Sequence, residues 1–462
     1  MQRTPRLPEG MTFGADDDPP FVLTAFAGLQ WVGLIMNLYI VLLLVVVRAG
    51  HVPQRTIAAM VALSMLALGA AALLQALPRG PIGSGYLAPS VLGANYLGPS
   101  ILAIKLGGLP LMFGMTIFAG VCEAVASRLV GRLNKLFPTE IQGMVLFMIG
   151  VIVGGIGFRL AFAVGAPTPL GVAHLAVATL TFGTAVVLTI WARGSLRMLA
   201  ILISMALGYI ASAASGLLSS SDWAAFGPMR LFALPHVDHL RFSFSAALIV
   251  PFAIAACVST AKTISLLAQC QKLSDADWRE PEMGSLRRGV LADGLGTVIS
   301  GLVGSLGVNT MPSAVTVPAV TGLASRKVAY AIAAIFGVMA FLPVISDALA
   351  AMPKAVMGGC ALFTGSLVMI NGLQTMTSCH LDQRRTVVLG LGLIAGFAAE
   401  KYPQLGAGLP VWLQAVTSSS LVFSALVAMI GNLLLVQLPL WTRRTIDHAL
   451  RSEMRRGAKP MG

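Results

Sequence analysis

Residues 81–100 read Pro-Ile-Gly-Ser-Gly-Tyr-Leu-Ala-Pro-Ser-Val-Leu-Gly-Ala-Asn-Tyr-Leu-Gly-Pro-Ser, and residues 307–322 read Gly-Val-Asn-Thr-Met-Pro-Ser-Ala-Val-Thr-Val-Pro-Ala-Val-Thr-Gly. Both stretches are apolar enough for a membrane, but their glycines and prolines disfavour an uninterrupted helix. Non-helical backbone at membrane depth persists only where it is buried in protein or lines a cavity. The two stretches therefore predict discontinuous segments that meet inside the protein. Two proline-kinked helices packed through glycine are the alternative.

The chain around these stretches has the composition of a membrane protein. Of its 462 residues 56% are hydrophobic and only 11% charged, and the mean hydropathy is +0.84, whereas soluble domains carry roughly 25% charged residues. Apolar stretches of about 20 residues, each long enough to cross a bilayer core as a helix, follow one another along the chain. We therefore expect an all-α polytopic membrane protein of about fourteen spans, at 21–47, 55–77, 84–104, 108–127, 141–163, 168–191, 196–219, 243–269, 287–306, 308–325, 328–349, 353–376, 386–400 and 417–440.

In this count the two glycine- and proline-rich stretches are the third and the tenth span, so each is third in its own block of seven. Interrupted segments at matching positions in two halves indicate the binding site of an inverted-repeat transporter. The sequence thus predicts two inverted repeats of seven spans, with the site between the two interrupted segments.

The distribution of basic residues predicts the orientation. With a cytoplasmic N-terminus, the inner segments hold nearly three times as many Lys and Arg residues as the outer ones, as the positive-inside rule requires. Both termini are therefore expected on the cytoplasmic side of the inner membrane. Residues 1–20 lack the pattern of a cleaved signal peptide. The basic tail 441–462 is expected to lie near anionic lipid, so the net charge of +13 does not indicate nucleic-acid binding.

The sequence offers no chemistry typical of an enzyme or a metal protein. Its five cysteines are odd in number and have no metal-ligand spacing. Its six histidines are scattered, and His236 and His239 in the outer loop have no third ligand nearby. A nucleophile with its base, or paired carboxylates, is not evident in any span. We expect no enzyme activity, no metal and no cofactor, apart from a coupling proton or sodium ion.

Several motifs occur in one order along the chain. The first is Thr12-Phe13-Gly14-Ala15-Asp16-Asp17-Asp18-Pro19-Pro20, followed by Leu29-Gln30-Trp31. Next come Gly83-Ser84-Gly85-Tyr86-Leu87-Ala88-Pro89-Ser90, and then Gly107-Gly108-Leu109-Pro110-Leu111 with Phe113-Gly114-Met115-Thr116. The last two are Gly289-Val290-Leu291-Ala292-Asp293-Gly294-Leu295-Gly296 and Thr321-Gly322-Leu323-Ala324-Ser325-Arg326. In these motifs the chain resembles the nucleobase–ascorbate transporter family, also called nucleobase:cation symporter 2. The run 271–278 is similar to one bacterial branch of that family.

The resemblance implies a core domain and a gate domain. The core would comprise 21–135 (spans 1–4) and 243–350 (spans 8–11), and the gate 136–220 (spans 5–7) and 351–440 (spans 12–14), with an outer loop at 221–242. Spans 3 and 10 would each pair a short strand with a half-helix and hold the substrate between their ends. The resemblance further implies a homodimer, elevator-type movement of the core, and uracil, xanthine or urate as cargo with a proton or sodium ion.

The chain departs from the family pattern at the expected site. Where the family has Glu-Thr-x-Gly-Asp in span 8, with a glutamate that bonds the nucleobase, this chain has Lys262-Thr263-Ile264-Ser265-Leu266. The Gln/Glu-Asn pair of span 10 is Ser313-Ala314, and the Gln-His pair of span 1 is Gln30-Trp31. The expected carboxylates are absent while the scaffold motifs remain.

Lys262 is the strongest candidate for substrate binding. A charge at the centre of a membrane helix costs at least about 2.5–3.5 kcal/mol, so such a residue has a partner or a task. Three arrangements are open: the side chain reaches the inner interface, it pairs with Asp293, or it faces the substrate cavity. In the cavity, the ammonium would add to the partial positive charge of the half-helix N-termini and favour an anion.

The remaining candidates are polar or backbone groups near the two interrupted segments. Substrate-binding candidates besides Lys262 are Ser265, Ser313, Ala314, Asn309, Thr310, Ser90, Val91 and Leu92. The coupling candidates are the intramembrane acids Asp293 and Glu123, for which a purely structural hydrogen-bonding role is the alternative.

Three functions remain open. The first is a nucleobase permease for an anionic purine such as xanthine or urate. The second is an inorganic anion or bicarbonate transporter on the same fold, because the site carboxylates are lost and a lysine is present. The third is a sensor that keeps the scaffold without transport.

Overall fold

The structure is a computed structural model that describes residues 6–130, 138–164, 171–218, 232–406, 408–417 and 419–438. The predicted basic tail 441–462 and the first part of the outer loop, up to residue 231, lie outside the described residues. So does the stretch 131–137, where the first core segment was expected to end.

Helices make up most of the described chain, and only two short strands interrupt them. The α-helices are α1 Phe21–Ala49, α2 Gln54–Ala76, α3 Leu97–Ala126, α4 Thr139–Ala161, α5 Val172–Trp191, α6 Ser195–Met198, α7 Ala200–Ala214, α8 Ile249–Ser274, α9 Met283–Leu302, α10 Ser313–Thr321, α11 Lys327–Ala340, α12 Pro343–Ala350, α13 Lys354–Thr377, α14 Gln383–Lys401, α15 Val411–Thr417 and α16 Ser420–Gly431. The strands are β1 Ser90–Leu92 and β2 Val308–Thr310. A π-helical turn Asn432–Gln437 extends α16.

Eight helical runs within the described residues are long and apolar enough to cross a membrane. They are Phe21–Ala49, Gln54–Ala76, Ala94–Leu129, Thr139–Ala161, Val172–Trp191, Ala246–Ser274, Lys354–Thr377 and Ser420–Gln437. The pair α11 and α12, bent by 82° between them, is a ninth if it is taken as one span. The chain is thus a multi-pass helical membrane protein.

Both glycine- and proline-rich stretches are discontinuous. The first contains β1, a 3₁₀ turn Ala94–Tyr96 and then α3. Helix α3 is itself broken where Gly107 and Gly108 leave helical geometry, with φ of +69° at Gly108, a value that glycine adopts without a Cβ clash. The second stretch contains β2 followed by the nine-residue helix α10. Two uninterrupted kinked helices are therefore excluded.

Strands β1 and β2 pair antiparallel and join the two halves of the chain. Ser90 lies opposite Thr310, Val91 opposite Asn309, and Leu92 opposite Val308. All six residues are buried. The backbone groups released by breaking the helices are thereby paired again inside the protein, as burial in a membrane requires.

Close backbone contacts join α4 to α13. Glycines recur every seven residues on both helices, at 143, 150 and 157 on α4 and at 358, 365 and 372 on α13. A Cβ on Gly150 would lie 2.3 Å from the backbone nitrogen of Met369, and one on Gly365 would lie 2.4 Å from that of Gly154. Small residues are what allow two helix backbones to approach this closely. We call this contact the glycine seam.

The N-terminal segment lies across two loops at one end of the helices. Thr12 and Phe13 donate backbone hydrogen bonds to Gly322 at the end of α10, and Ala276 donates one to the carbonyl of Arg6. Arg326 forms an ion pair with Asp16. Residues 6–18, the loop 275–282 and the loop 322–326 therefore share one face of the molecule.

Candidate functional site

We call the antiparallel pairing of β1 with β2 the strand crossing. A cavity of about 790 Å³ lies beside it. Its walls come from α8 and α10 on one side and from α4 and α13 on the other. Lys262 and Ser265 on α8 line it, as do Ser313 and Thr316 on α10. A concave site with a few convergent polar groups is what a small-molecule ligand requires.

The charged lining of this cavity is entirely basic among the described residues. Lys262 and Lys272 line it, and no Asp or Glu does. The remaining polar lining is uncharged hydroxyl, amide and indole groups. An anion entering the cavity would meet cations and hydrogen-bond donors but no like charge.

Lys262 is held at the strand crossing by a chain of amides. Its ammonium donates a hydrogen bond of 2.9 Å to Asn309 Oδ1, and the Asn309 amide donates to Asn95 Oδ1 at 2.5 Å. Asn95 in turn donates to the carbonyl of Ala255, at 2.9 Å. Each amide therefore fixes the next, and the ammonium is oriented without a carboxylate partner. We call these three side chains the lysine relay.

This geometry distinguishes the three arrangements considered for Lys262. The side chain is directed to Asn309 in β2 and borders the cavity. No carboxylate of the described residues lies within 4.0 Å of its ammonium, so it does not pair directly with Asp293. It does not extend to the interface either, because its ammonium is engaged at the strand crossing.

Asp293, on α9, lies on the other side of the same strands and is saturated with donors. Gln75 and Ser90 donate to its Oδ1, at 3.4 and 3.1 Å. Thr263 donates to Oδ2, as do the backbone N–H and the hydroxyl of Thr310, at 3.0 and 3.3 Å. The carboxylate thus ties α2, α8, β1 and β2 to α9. We call it the aspartate hub.

Glu123 on α3 is also buried and bonded. Tyr96 donates its hydroxyl to Oε1, and Thr297 donates to Oε2 at 3.5 Å. The single hydrogen of the Thr297 hydroxyl is shared with the carbonyl of Val308, which is nearer at 2.8 Å, and so connects this carboxyl to β2. Glu123 does not line the cavity.

The predicted site residues separate into three groups. Lys262, Ser265 and Ser313 line the cavity, and Asn309 stands directly behind Lys262. Ser90 and Thr310 are turned to Asp293, which leaves their side chains engaged away from the cavity.

The third group is buried outside the lining. Val91 and Leu92 are buried in β1, and Ala314 is 1% exposed, its carbonyl accepting from the Cys270 thiol. Their side chains do not line the cavity. The alternation of side chains along β2 accounts for the separation of Asn309 from Thr310, because neighbouring residues of a strand point to opposite faces.

Sequence reasoning missed the far wall of the cavity. Asn371, Gln374 and Thr375 of α13 and its C-cap residue Ser378 line it together with Gln142 of α4. The four residues of α13 and its C-cap have the spacing of one helix face, a pattern that was present in the sequence. It also missed Asn95, although this residue stands inside the first interrupted stretch.

Comparison with known proteins identifies the class. Residues 23–405 match the family model Xan_ur_permease, described as a permease family, and the chain therefore belongs to that family. It is a permease, not an enzyme, and the family resemblance seen in the sequence motifs is confirmed.

Among similar proteins is a putative purine permease of Clostridium perfringens, 25% identical over 93% of this chain and 94% of its own. The xanthine permease XanQ of Escherichia coli is 27% identical over 92% of this chain and 94% of its own. The uric acid transporter UacT of Escherichia coli is 26% identical over 70% of this chain and 67% of its own.

Solved structures share the fold at low identity. The transmembrane domain of the cyanobacterial bicarbonate transporter BicA is similar, with a TM-score of 0.54 and 14% identity over 89% of this chain and 96% of that domain. Murine Slc26a9, an anion transporter in the inward-facing state, has a TM-score of 0.57 and 12% identity over 92% of this chain and 69% of its own.

Proposed function

We propose that this permease is a secondary transporter of a nucleobase, a purine in anionic form such as xanthine or urate. The names of its relatives support the purine. The observation that carries the anionic form is Lys262, whose ammonium borders the cavity with no carboxylate in the lining. An unpaired cation in a partly dry site favours a ligand that brings the opposite charge.

Residues of both cavity walls, α8 and α10 on one side and α4 and α13 on the other, would contact the purine. Lys262 pairs with the negative charge of the purine, while Asn309 keeps the ammonium in place. Ser313 begins α10, so the partial positive charge of that helix N-terminus is added at the same point. Ser265, Gln142 and Gln374 supply donors and acceptors for the edges of the ring.

Transport is proposed to follow an elevator mechanism on fourteen spans in two inverted repeats. The core domain, 21–135 and 243–350, would carry the strand crossing past the gate domain, 136–220 and 351–440. The antiparallel pairing of one strand from each half supports inverted repeats, since segments related by a two-fold axis in the membrane plane run in opposite directions. The glycine seam supports a gate that moves little, because backbones in such contact pack rigidly.

The two buried acids are proposed to be structural and not coupling groups. Asp293 receives five hydrogen bonds, and Glu123 receives two. Neither borders the cavity. The fixed ammonium of Lys262 would take the place of a bound proton or sodium ion and weaken coupling to either.

We further propose a homodimer in the inner membrane with both termini in the cytoplasm. The N-terminal segment, the loop 275–282 and the loop 322–326 lie on one face of the molecule, and the charge pattern assigns all three to the cytoplasmic side. The homodimer rests on the family resemblance.

An inorganic anion transporter is the competing function. The same cation would accept bicarbonate, and the fold is shared with a bicarbonate transporter. The wide cavity and its amide-rich far wall favour the larger ligand with several hydrogen-bonding edges. A transport-dead sensor would bind the purine without moving it.

Purified protein in proteoliposomes decides among these functions. We expect uptake of labelled xanthine or urate by the wild type, and loss of uptake in Lys262→Met and Lys262→Glu. Lys354→Met is the matched control, because Lys354 is exposed and lies outside the cavity lining. Uptake that survives both Lys262 changes contradicts the anion proposal. Purine binding displaced by bicarbonate, sulfate or chloride favours the inorganic anion, and binding without uptake favours the sensor.

A further inference from the structure

Helix α8 presents a continuous polar face to the cavity. Lys262, Ser265, Gln269 and Lys272 all line it, at intervals of three, four and three residues, which is the spacing of one side of a helix. With a rise of 1.5 Å per residue, the two lysines stand about 15 Å apart along the helix. The cavity therefore runs from the strand crossing to the C-terminal end of α8.

A second set of residues surrounds this far end. Lys272 lines the cavity there, as do Trp278 and Pro281 of the loop that joins α8 to α9. Among the described residues no carboxylate lies within 4.0 Å of the Lys272 ammonium. The loop does carry acids, at 275, 277, 280 and 282, but none of them lines the cavity.

The indole of Trp278 is held in place by a buried amide. Its N–H donates to Gln271 Oε1 at 3.5 Å, and the same oxygen accepts the backbone N–H of Glu282 at 2.9 Å. Gln271 Nε2 donates back to the carbonyl of Glu282, at 3.2 Å. Gln271 is buried, with 3% of its surface exposed. Its side-chain amide contacts both the Trp278 ring and Glu282, the residue before α9.

The loop 275–282 is also held by the N-terminal segment. The backbone N–H of Ala276 donates to the carbonyl of Arg6 at 2.7 Å, and within the loop the backbone N–H of Trp278 donates to the backbone carbonyl of Asp275 at 3.2 Å. A loop tied at both ends in this way presents its side chains in one arrangement, and this lowers the entropic cost of binding.

We propose that Lys272 and Trp278 form a second binding site for the same planar anion, at the mouth of the cavity. The ammonium supplies the charge, and the indole face supplies a surface on which a purine ring stacks. A small inorganic anion would use the lysine and gain nothing from the ring. The proposal rests on the proposed function, because it takes its ligand from it.

The mouth site is expected to be the weaker of the two. Lys272 is exposed whereas Lys262 is half-buried, and an exposed charge is better screened by water. We therefore expect two urate molecules per chain, one bound tightly at Lys262 and one weakly at the mouth.

Equilibrium dialysis of the full-length protein in lipid nanodiscs with radiolabelled urate tests this. Trp278→Ala should weaken the second site by at least roughly fivefold, the lower end of the loss seen when a stacking aromatic is removed. Lys272→Gln should weaken the same site, because the charge that pairs with the anion is lost. The first site should keep its affinity in both variants, which also shows that they are folded. Trp278→Phe should retain most of the weak binding, because a stacking face remains.

Lys262→Met provides the complementary measurement, and Arg279→Gln the matched control. The former should lose the tight site and keep the weak one. The latter removes an exposed cation of the same loop that does not line the cavity, and should change neither.

A single tight site that depends on Lys262, with no second site, overturns the mouth site and leaves the proposed function standing. Two sites of which neither depends on Lys262 overturn the proposed anion site and leave the mouth site standing. Absence of urate binding to the wild type overturns both.

Discussion

Two of the contacts that join the N-terminal half of this chain to the C-terminal half do so by opposite means. At the strand crossing, β1 and β2 are joined by backbone hydrogen bonds and by polar side chains gathered around the aspartate hub. At the glycine seam, α4 and α13 are joined by direct contact of their backbones, with glycine in place of side chains.

The two contacts differ in how many polar groups they leave only partly hydrogen-bonded inside the protein. The seam satisfies its backbone within its own helices and only requires shape, so its glycines leave no polar group for a ligand. The crossing breaks two helices and must satisfy their polar groups. One face of the strands is satisfied by Asp293, while the other carries the lysine relay, whose ammonium is open to the cavity. The proposed binding site thus lies where the polar groups around the strand crossing are not all used within the protein.

Replacement of Asp293 breaks the crossing and has the largest expected effect on stability. Asp293→Ala removes the acceptor of five hydrogen bonds. Gln75 keeps the carbonyl of Gly289, and each buried donor that is left without an acceptor costs about 1–3 kcal/mol. We expect a loss of at least about 3 kcal/mol, with poor yield of folded protein. Thermal unfolding in detergent measures it. A folded Asp293→Ala protein with wild-type stability contradicts the hub.

Replacement of Gly150 breaks the seam. Leucine there would drive atoms into the backbone of Met369, and overpacking of this kind costs about 1–3 kcal/mol or more. Gly155→Leu, on the same helix, is the matched control, because a Cβ at Gly155 meets no atom within 4 Å. The same unfolding measurement applies. Equal losses in both variants mean that helix propensity and not the seam is responsible.

The charge of Lys262 predicts that the pH dependence of purine binding differs between the wild type and Lys262→Met. Binding of xanthine to the wild type should strengthen over the pH range in which the purine ionises while the ammonium keeps its proton, and should weaken again above it, whereas binding to Lys262→Met should show neither change. At a pH where the purine is ionised we expect roughly 10–100-fold weaker binding in the variant, since a hydrogen bond to a charged group contributes about 1.5–3 kcal/mol. Titration calorimetry across pH measures both. Parallel profiles for the two proteins show that the ammonium does not sense the ligand charge.

Ser90→Ala is the smallest change and separates the two faces of the strands. The hub loses one of its five donors, so stability should fall by about 1 kcal/mol. The affinity for the purine should remain within about twofold, because Ser90 is turned away from the cavity. Thermal unfolding and binding are measured on the same sample. A large loss of affinity with unchanged stability would restore Ser90 as a ligand contact.

Much of the candidate site was predictable from the sequence, and the positions that the structure places elsewhere have a common cause. The motifs around residues 90 and 313 identified the interrupted segments, and Lys262 was recognisable as a charge deep in a span. Ser90 and Thr310 were expected beside the substrate because they stand next to the interruptions, yet their side chains bond Asp293. Which face of a three-residue strand a side chain occupies depends on its register, and no local pattern reports that.

The sequence alone determined that this chain lies in a membrane, predicted that two of its segments are interrupted, and showed a lysine, Lys262, where the family resemblance leads one to expect an acid. These features follow from composition, from glycine and proline, and from residue identity, and they need no partner elsewhere in the chain. Only the tertiary structure decided that Lys262 and its neighbour Thr263 belong to different networks, one at the cavity and one at Asp293. It also decided that α13 forms the far wall of the cavity. The physical reason is that both depend on contacts between residues remote in sequence, which packing creates and local preference does not encode.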